Sequence, residues 1–500
     1  MNAMCAQILK EQASRLALAV LVAGFVLAFS GSVWAQASDD AAATTATESS
    51  ETTVADSTDT DAEGAAKPEE TDEERISGLE NAVKVLAEEL KDAITATTVP
   101  EDREYTSFSG LGPAASQVYY RDKGLSIGGY GEVLLKTFVT ETQTPSGPVQ
   151  NNNVFDALRA VLYVGYKFND KWLINSELEF EHAGTGGGGS VSVEFLTLDY
   201  MPKSWLNFRV GTVLIPMGLI NEVHEPITFF GANRPEVERR IIPTTWRENG
   251  GGLFGSFFND RVRYRMYAVN GLDGKDFTAA KGLRGGRQKA SRALANNWAF
   301  VGRVDVDVIN GLILGGSVYT GNSGQNQSNR VEVSKDPVTG DPNYETRGLP
   351  SSLTTVYELH GVFQRWGLTV KGLVSQVFIA DTAELNYALN KRTTGSNPDA
   401  IAKTMLGWYL VGAYDILPLF MPETSMSLSP YFRYERVDTQ NQMAAGIAPN
   451  RRYQQDVYVA GLQFQPFTQV VLKLDYQHIR PETAPLYVDN KVRFAMGYVF

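Results

Sequence analysis

Between Ile215 and Glu248 the chain gathers four arginines, Arg234, Arg239, Arg240 and Arg247, and five glutamates, Glu222, Glu225, Glu236, Glu238 and Glu248. Fixed charges held around a narrow passage discriminate between ions without making or breaking a bond. The same stretch carries Phe229, Phe230, Ile241, Ile242 and Trp246, so it is too apolar to wave in water and too charged to sit in hydrocarbon. A loop of this length and mix is expected to be packed somewhere. Only the interior of a wide barrel offers it both an apolar wall and water, and residues 216–249 are therefore expected to line a constriction there. Other chemistry finds little footing. The four histidines, His182, His224, His360 and His478, include no pair spaced as a metal clip, and no CxxC or glycine-rich phosphate loop is present. No catalytic residue, cofactor or metal is expected. A barrel lipase would need a serine–histidine pair at its outer rim, for which His182 and nearby serines are the only material.

The elements that must position these charges are strands. From Leu125 onward, sixteen alternating segments can be laid out, with connections that are alternately short and long. The short ones include Asn169-Asp170, Asn259-Asp260 and Asn310-Gly311, which are hairpin turn dipeptides. The long ones are 139–152, 183–189, 216–249, 271–296, 321–350, 380–404, 437–453 and 480–489. Tight turns at one end and long loops at the other are the asymmetry of an outer-membrane barrel, and sixteen strands leave a wet interior. No run of 17 or more apolar residues occurs in this part, so helical spans are excluded. The fold class is all-β, a sixteen-stranded antiparallel transmembrane barrel with an inward-folded loop.

Strand phase sorts the side chains. The last strand sets Val492, Phe494, Met496, Tyr498 and Phe500 on one face and Arg493, Ala495 and Gly497 on the other. That is a lipid face backed by a lumen face. An aromatic final residue on such a strand resembles the signal read by the outer-membrane assembly machinery. By the same alternation Arg159, Glu177, Glu179, Glu181, Arg263, Arg265, Arg303, Asp305, Arg433 and Lys473 face inward. A charge on the lipid face near the midplane costs about 2–4 kcal/mol, so the phase is strongly determined. Whether these charges select ions or satisfy one another across the wall is open at this level. Trp172, Trp205, Trp298 and Trp366 stand by short turns or strand starts, where interface girdles form.

The amino-terminal part is different. Lys10 and Arg15 precede an apolar run from Leu16 to Phe29, and Val33 and Ala35 complete a signal peptide over 1–35. The single cysteine, Cys5, lies within it, so the processed chain has no thiol chemistry and no disulfide framework. Residues 36–70 are Ala, Thr, Ser, Asp and Glu, an acidic linker expected to be disordered. Of the 57 acidic residues 22 fall in 1–124, against nine of the 45 basic ones, which leaves 35 acids and 36 bases in the remainder. The net charge therefore belongs to the arm, and no basic stripe suggests nucleic acid. A capping box at Thr71–Glu74 opens a helix over 71–96 whose Ile76, Leu79, Val83, Leu86 and Leu90 form a heptad seam. It is read as a short coiled coil joining copies of the chain; a lone helix packed on the barrel is the alternative. Residues 97–123 are read as a linker and 124–500 as the barrel.

The opening strand Leu125-Ser-Ile-Gly-Gly-Tyr-Gly-Glu132, the segment Ser176-Glu-Leu-Glu-Phe-Glu-His182 and the charged loop together resemble the phosphate-selective porin O and P family, and the helical arm is similar to that of trimeric DcaP-like porins. The resemblance covers most of 125–500. It implies a homotrimeric outer-membrane channel in lipid, with its arm in the periplasm and its third surface loop in the pore. Carried over, it makes Arg234, Arg239, Arg240 and Arg247 pore residues. The phosphate channels use a dense arginine ladder and a lysine cluster, whereas this barrel is nearly neutral and carries Glu177, Glu179 and Glu181 inside. Passive diffusion of small hydrophilic solutes, or of anions such as phosphate, is the expectation; a structural or adhesive barrel with exposed loops is the alternative.

Overall fold

The computed structural model describes residues 106–139, 142–144, 147–149, 151–394, 399–483 and 489–500, with eight helical positions between Glu73 and Val85. Chain contacts divide it into two units, 1–98 and 99–500. In the first, the described positions are exposed, Val83 among them. Ile76, Leu79, Leu86 and Leu90 lie outside the described residues, as do the signal peptide and the acidic linker.

The second unit is a closed antiparallel barrel of sixteen strands. Its first half comprises β1 (Gly124–Phe138), β4 (Val154–Lys167), β5 (Trp172–Glu181), β6 (Ser190–Lys203), β7 (Leu206–Leu214), β8 (Arg247–Phe257), β9 (Val262–Asn270) and β10 (Trp298–Ile309). The second half comprises β11 (Leu312–Asn322), β14 (Leu353–Arg365), β15 (Leu368–Ile379), β16 (Thr404–Tyr414), β17 (Ser427–Gln442), β18 (Gln454–Phe467), β19 (Val470–Pro481) and β20 (Asp489–Val499). Two small hairpins ride on long loops: β2 (Thr142–Thr144) with β3 (Gly147–Val149), and β12 (Ser328–Lys335) with β13 (Pro342–Gly348). Every barrel strand pairs with its sequence neighbour in the wall, and β1 pairs with β20. The last residue completes the seam, since Phe500 and Gly129 exchange both backbone hydrogen bonds at 2.9 Å. Gly129 has no alternative there, because a Cβ would meet the Phe500 ring at 2.8 Å.

The barrel is inverted relative to a water-soluble fold. Ile127, Leu162, Ile174, Leu196, Val210, Met266, Phe300, Val304, Leu359, Phe432, Leu474 and Phe494 are exposed on its outer face, whereas Glu132, Glu177, Arg265, Asp305, Arg433 and Lys473 are buried within. A contiguous apolar surface of this extent is disfavoured in water and suits hydrocarbon. At the short-turn rim, ring contacts link Tyr166 to Phe168, Trp172 to Tyr200, Tyr200 to Phe208, Trp205 to Phe257 and Phe257 to Tyr264. Amphipathic rings of this kind settle at a membrane interface.

The interior is not uniformly wet. Two long loops, 215–246 and 271–297, fold inward and bring Met217, Ile241, Ile242, Trp246, Leu272, Phe277 and Leu283 into one buried cluster with Val301, Tyr319, Val356, Val377, Met405 and Val457 of the wall. Residues 106–123 do more than connect. Leu111, Ala114, Ala115, Val118 and Tyr119 are buried against Tyr130, Val161, Tyr163, Leu173, Phe195 and Leu214. Composition hid this packing because the segment is short and built largely of small residues.

Candidate functional site

Of the ten wall charges expected to face inward, eight are buried and Glu181 and Arg263 are half-buried, and most are gripped by partners. Arg159 donates to Glu132 at 2.6 and 2.8 Å and to the Tyr130 hydroxyl at 3.2 Å, with Glu179 4.0 Å away. Glu177 meets His224 at 3.0 Å, and Glu181, half-buried, accepts from Ser190 at 2.9 Å. Arg265 binds Asp305 and lies 3.1 Å from Glu222. Arg303 donates to Asp305 at 2.9 Å, and His360 bridges Asp305 and Glu358. Arg263, nearer the short-turn end, pairs with Asp307 at 2.6 Å. Arg265 is thus turned into the barrel yet closed off from water, at 3 % side-chain exposure. This carboxylate cage makes Arg265 one of the charges that satisfy one another on the wall.

Wall cations also seize the backbone of the loop. Lys473 donates to the Phe229 and Gly231 carbonyls at 2.7 and 3.1 Å. Arg433 donates to Glu435 at 2.9 Å and to the Phe230 carbonyl at 2.8 Å. Asp475 accepts from the Ala232 amide at 2.8 Å, and Arg493 supports Asp475 at 2.6 Å. Across the lumen, Glu435 accepts from the Val237 amide at 3.1 Å and Glu238 takes the Tyr409 hydroxyl at 2.5 Å. These contacts come from β16, β17 and β19, far around the wall from β7 and β8 where the loop is rooted. The loop therefore spans the lumen. The buried charges of these three strands find partners there, without which burial would be expensive.

Within the loop, Glu236 holds Arg239 at 2.7 Å and Arg240 at 2.9 Å. Burial works to raise its carboxyl, but Arg240 and Arg239 outweigh that and hold it at about 2. Glu225 accepts three amide hydrogen bonds from Ala114 and Ala115 at 3.0–3.1 Å. Arg247 and Glu248, expected in the loop, open β8 instead. Arg247 pairs with Glu194, and Glu248 accepts from Asn270 at 2.7 Å and from the Gln288 amide at 2.9 Å.

The second inward loop supplies what sequence reading passed over. Arg284 donates to the Thr244 carbonyl and, at 3.4 Å, to that of Arg239. Arg287 donates to the carbonyls of Arg284, Pro243 and Thr245 at 3.0, 3.1 and 2.6 Å. Backbone oxygens orient these guanidinium groups without cancelling their charge. Among the described residues Arg234, Arg284, Arg287 and Lys289 form no ion pair with a carboxylate. Burial, followed by the nearby charges of Arg287, Arg234 and Arg239, pulls Arg284 down from its ordinary range. Burial also lowers Arg287, which Arg247 and Arg234 press in the same direction while Glu194 and Glu248 oppose them. Beside them Arg239, which shares Glu236 with Arg240, is exposed over 48 % of its side chain. The signal was legible: residues 271–296 hold six basic residues and two acidic ones.

The histidines serve structure. His182 meets Asp156 at 2.7 Å, His478 meets Asn490 at 2.6 Å, and His224 and His360 belong to the networks above. No group of three metal-ligating side chains is present among the described residues.

The fold and this lumen define a sixteen-stranded barrel with two inward loops and a cationic cluster between them. No family model matches the chain. An uncharacterized protein of Aquifex aeolicus is 34 % identical over 378 residues, which are 74 % of this chain and 79 % of that one. The chain belongs to the same family as that protein. Among solved structures, OmpF of Salmonella typhi in complex with daunomycin aligns with 76 % of this chain and 98 % of its own, at 10 % identity and a TM-score of 0.48. A loop L8 deletion mutant of OmpT, an outer-membrane protein of Vibrio cholerae, aligns with 76 % of this chain and all of its own, at 12 % identity and a TM-score of 0.45. The fold described above rests on this chain's own strand pairing.

Proposed function

We propose that this protein is a passive outer-membrane channel for small hydrophilic solutes, with a preference for anions. The observation that carries the reading is the cluster of Arg234, Arg284, Arg287 and Lys289, beside Arg239 and Arg240 which share the one carboxylate of Glu236, on loops inside a barrel whose outer face is apolar. The cluster stays cationic because carbonyls hold Arg284 and Arg287. Preorganised guanidinium groups that retain net charge attract an anion and shed little solvent structure in doing so. The resemblance to phosphate-selective porins makes phosphate the first anion to try. No turnover of lipid or peptide is expected. Three copies would associate through their outer walls, with the arm in the periplasm joining them through its seam. Phe500, at the end of a lipid-facing strand, would be the mark read by the assembly machinery.

Purified protein in a planar bilayer tests the reading. A zero-current potential of the sign set by chloride in a potassium chloride gradient, shifting when phosphate replaces chloride, is the expected result. A barrel that carries no current would instead support the structural or adhesive alternative.

A further inference from the structure

Residues 107–121 belong to no strand, yet they are seated inside the barrel by contacts from two directions. From the wall, Lys167 donates to the carbonyls of Tyr119 and Arg121 at 3.1 and 2.6 Å, and Asn175 donates to that of Ala115 at 2.8 Å. The Tyr119 hydroxyl donates to Asp199 at 2.7 Å and accepts from Arg209 at 2.7 Å, while its ring stacks on Phe108 at 4.2 Å. From the lumen loop, Glu225 clamps the amides of Ala114 and Ala115. Lys167, Asn175, Asp199 and Arg209 all stand near the short-turn ends of β4, β5, β6 and β7. The segment therefore fills the short-turn mouth on that side, beneath the lumen loop.

Two glycines make the fit possible. A Cβ on Gly112 would lie 2.3 Å from the Glu225 carboxylate oxygen, and one on Gly110 would lie 1.6 Å from the Arg265 guanidinium. The segment is built to pass flush against two charged groups of the lumen. It is also independent of the wall's backbone ladder. Its own turns satisfy several amides internally, Ser116 on Gly112, Gln117 on Ala114 and Tyr119 on Ser116. The sixteen strands close without it. Its departure breaks no strand pairing; it bares Tyr130, Val161, Tyr163, Leu173, Phe195 and Leu214 of the wall, and it leaves Lys167, Asn175, Glu225 and the Asp199–Arg209 pair as polar groups that water solvates.

We propose that residues 107–121 are a releasable stopper of the short-turn mouth, latched by Tyr119 on the Asp199–Arg209 pair and by Glu225. Seated, the stopper narrows the passage and steadies the lumen loop through Glu225. Released, it opens the mouth and frees one anchor of that loop. Thr197 lies on the wall behind it, sharing a small cavity with Leu111 and Arg209.

The proposal rests on the channel reading only for its electrical readout, so it is tested in two ways on the full chain. Thr197→Cys, in a chain whose Cys5 is removed with the leader or replaced, is exposed to a charged thiol reagent with the stopper intact, with 107–121 deleted, and with Gly112→Ala pressing on Glu225. Loss of protection in the last two is expected; equal labelling rates in all three overturn the stopper. In bilayers the parent is expected to step between two conductance levels. The deletion keeps only the higher, and a Leu111→Cys/Thr197→Cys pair bridged by a short bifunctional thiol reagent keeps only the lower. One unchanged level in parent and bridged protein, which need no deletion to fold, also overturns it. Labelling that responds while no variant conducts defeats the channel reading and leaves the stopper standing.

Discussion

Arg433 on the wall and Arg284 on a loop are guanidinium groups inside the same barrel, and they are held by different partners. Arg433 is neutralised by Glu435 and spends its other donors on the loop carbonyl of Phe230. Arg284 is oriented by the carbonyls of Thr244 and Arg239, with no carboxylate bound. The first arrangement is an anchor: charge compensated, group immobile, loop fixed. The second leaves net positive charge on the inward loops. Facing the lumen is a matter of strand phase, whereas acting on a solute requires that the charge be neither covered nor cancelled.

The largest way to break this division is to remove the loop. Deleting 219–243 should raise single-channel conductance and expose the buried apolar wall, which a hydrophobic dye would report as new binding. Unchanged conductance would mean that the passage runs elsewhere. Next comes Arg433→Ala, which leaves Glu435 buried without its partner. Breaking a buried pair costs about 3–5 kcal/mol, to be read as a lower denaturant midpoint of the folded barrel. A variant as stable as the parent would show that Arg433 is no anchor. Arg284→Gln with Arg287→Gln should do the opposite. It keeps donors to the same carbonyls and removes two charges, so the zero-current potential should move toward cation preference with little change in stability. If Arg265→Gln moved that potential as far, the distinction between caged wall charges and loop charges would fail. The smallest effect is local. Cysteine at Arg239 should react with a charged thiol reagent faster than cysteine at Arg265, because the first side chain is half exposed and the second is enclosed by Asp305 and Glu222.

The barrel was legible because its causes are periodic. Alternation over nine or more residues fixes which face meets lipid, and turn dipeptides fix where each hairpin closes. The ten wall charges from Arg159 to Lys473 were read from that alternation, and the loop from its mixture of Trp, Phe, Arg and Glu, which suits neither water nor hydrocarbon. What stayed hidden depends on distance in space without a period in sequence. Nothing local to Lys473 says that it will hold the carbonyl of Phe229, and nothing in Gly110 or Gly112 says that charged groups will lie against them. Arg284 and Arg287 are an intermediate case: the basic run was visible, but that their loop turns inward follows from Leu272, Phe277 and Leu283 joining the cluster around Trp246.

The lumen loop's grip on Lys473 joins residues 244 positions apart, and the seam between β1 and β20 joins ends still more distant. Contacts of such long range must overcome a large loop-closure entropy before they return any stability, and they slow the final ordering of a chain. The loop is synthesised mid-chain, but β17 and β19, which help to hold it, come near the end. Its polar anchoring is incomplete until those strands arrive. Completing the loop's anchoring and sealing the cylinder are therefore late events, and a chain cut short of β19 would carry a loop without its Lys473 and Asp475 anchors inside an open sheet, a species whose unpaired edges mark it for disposal.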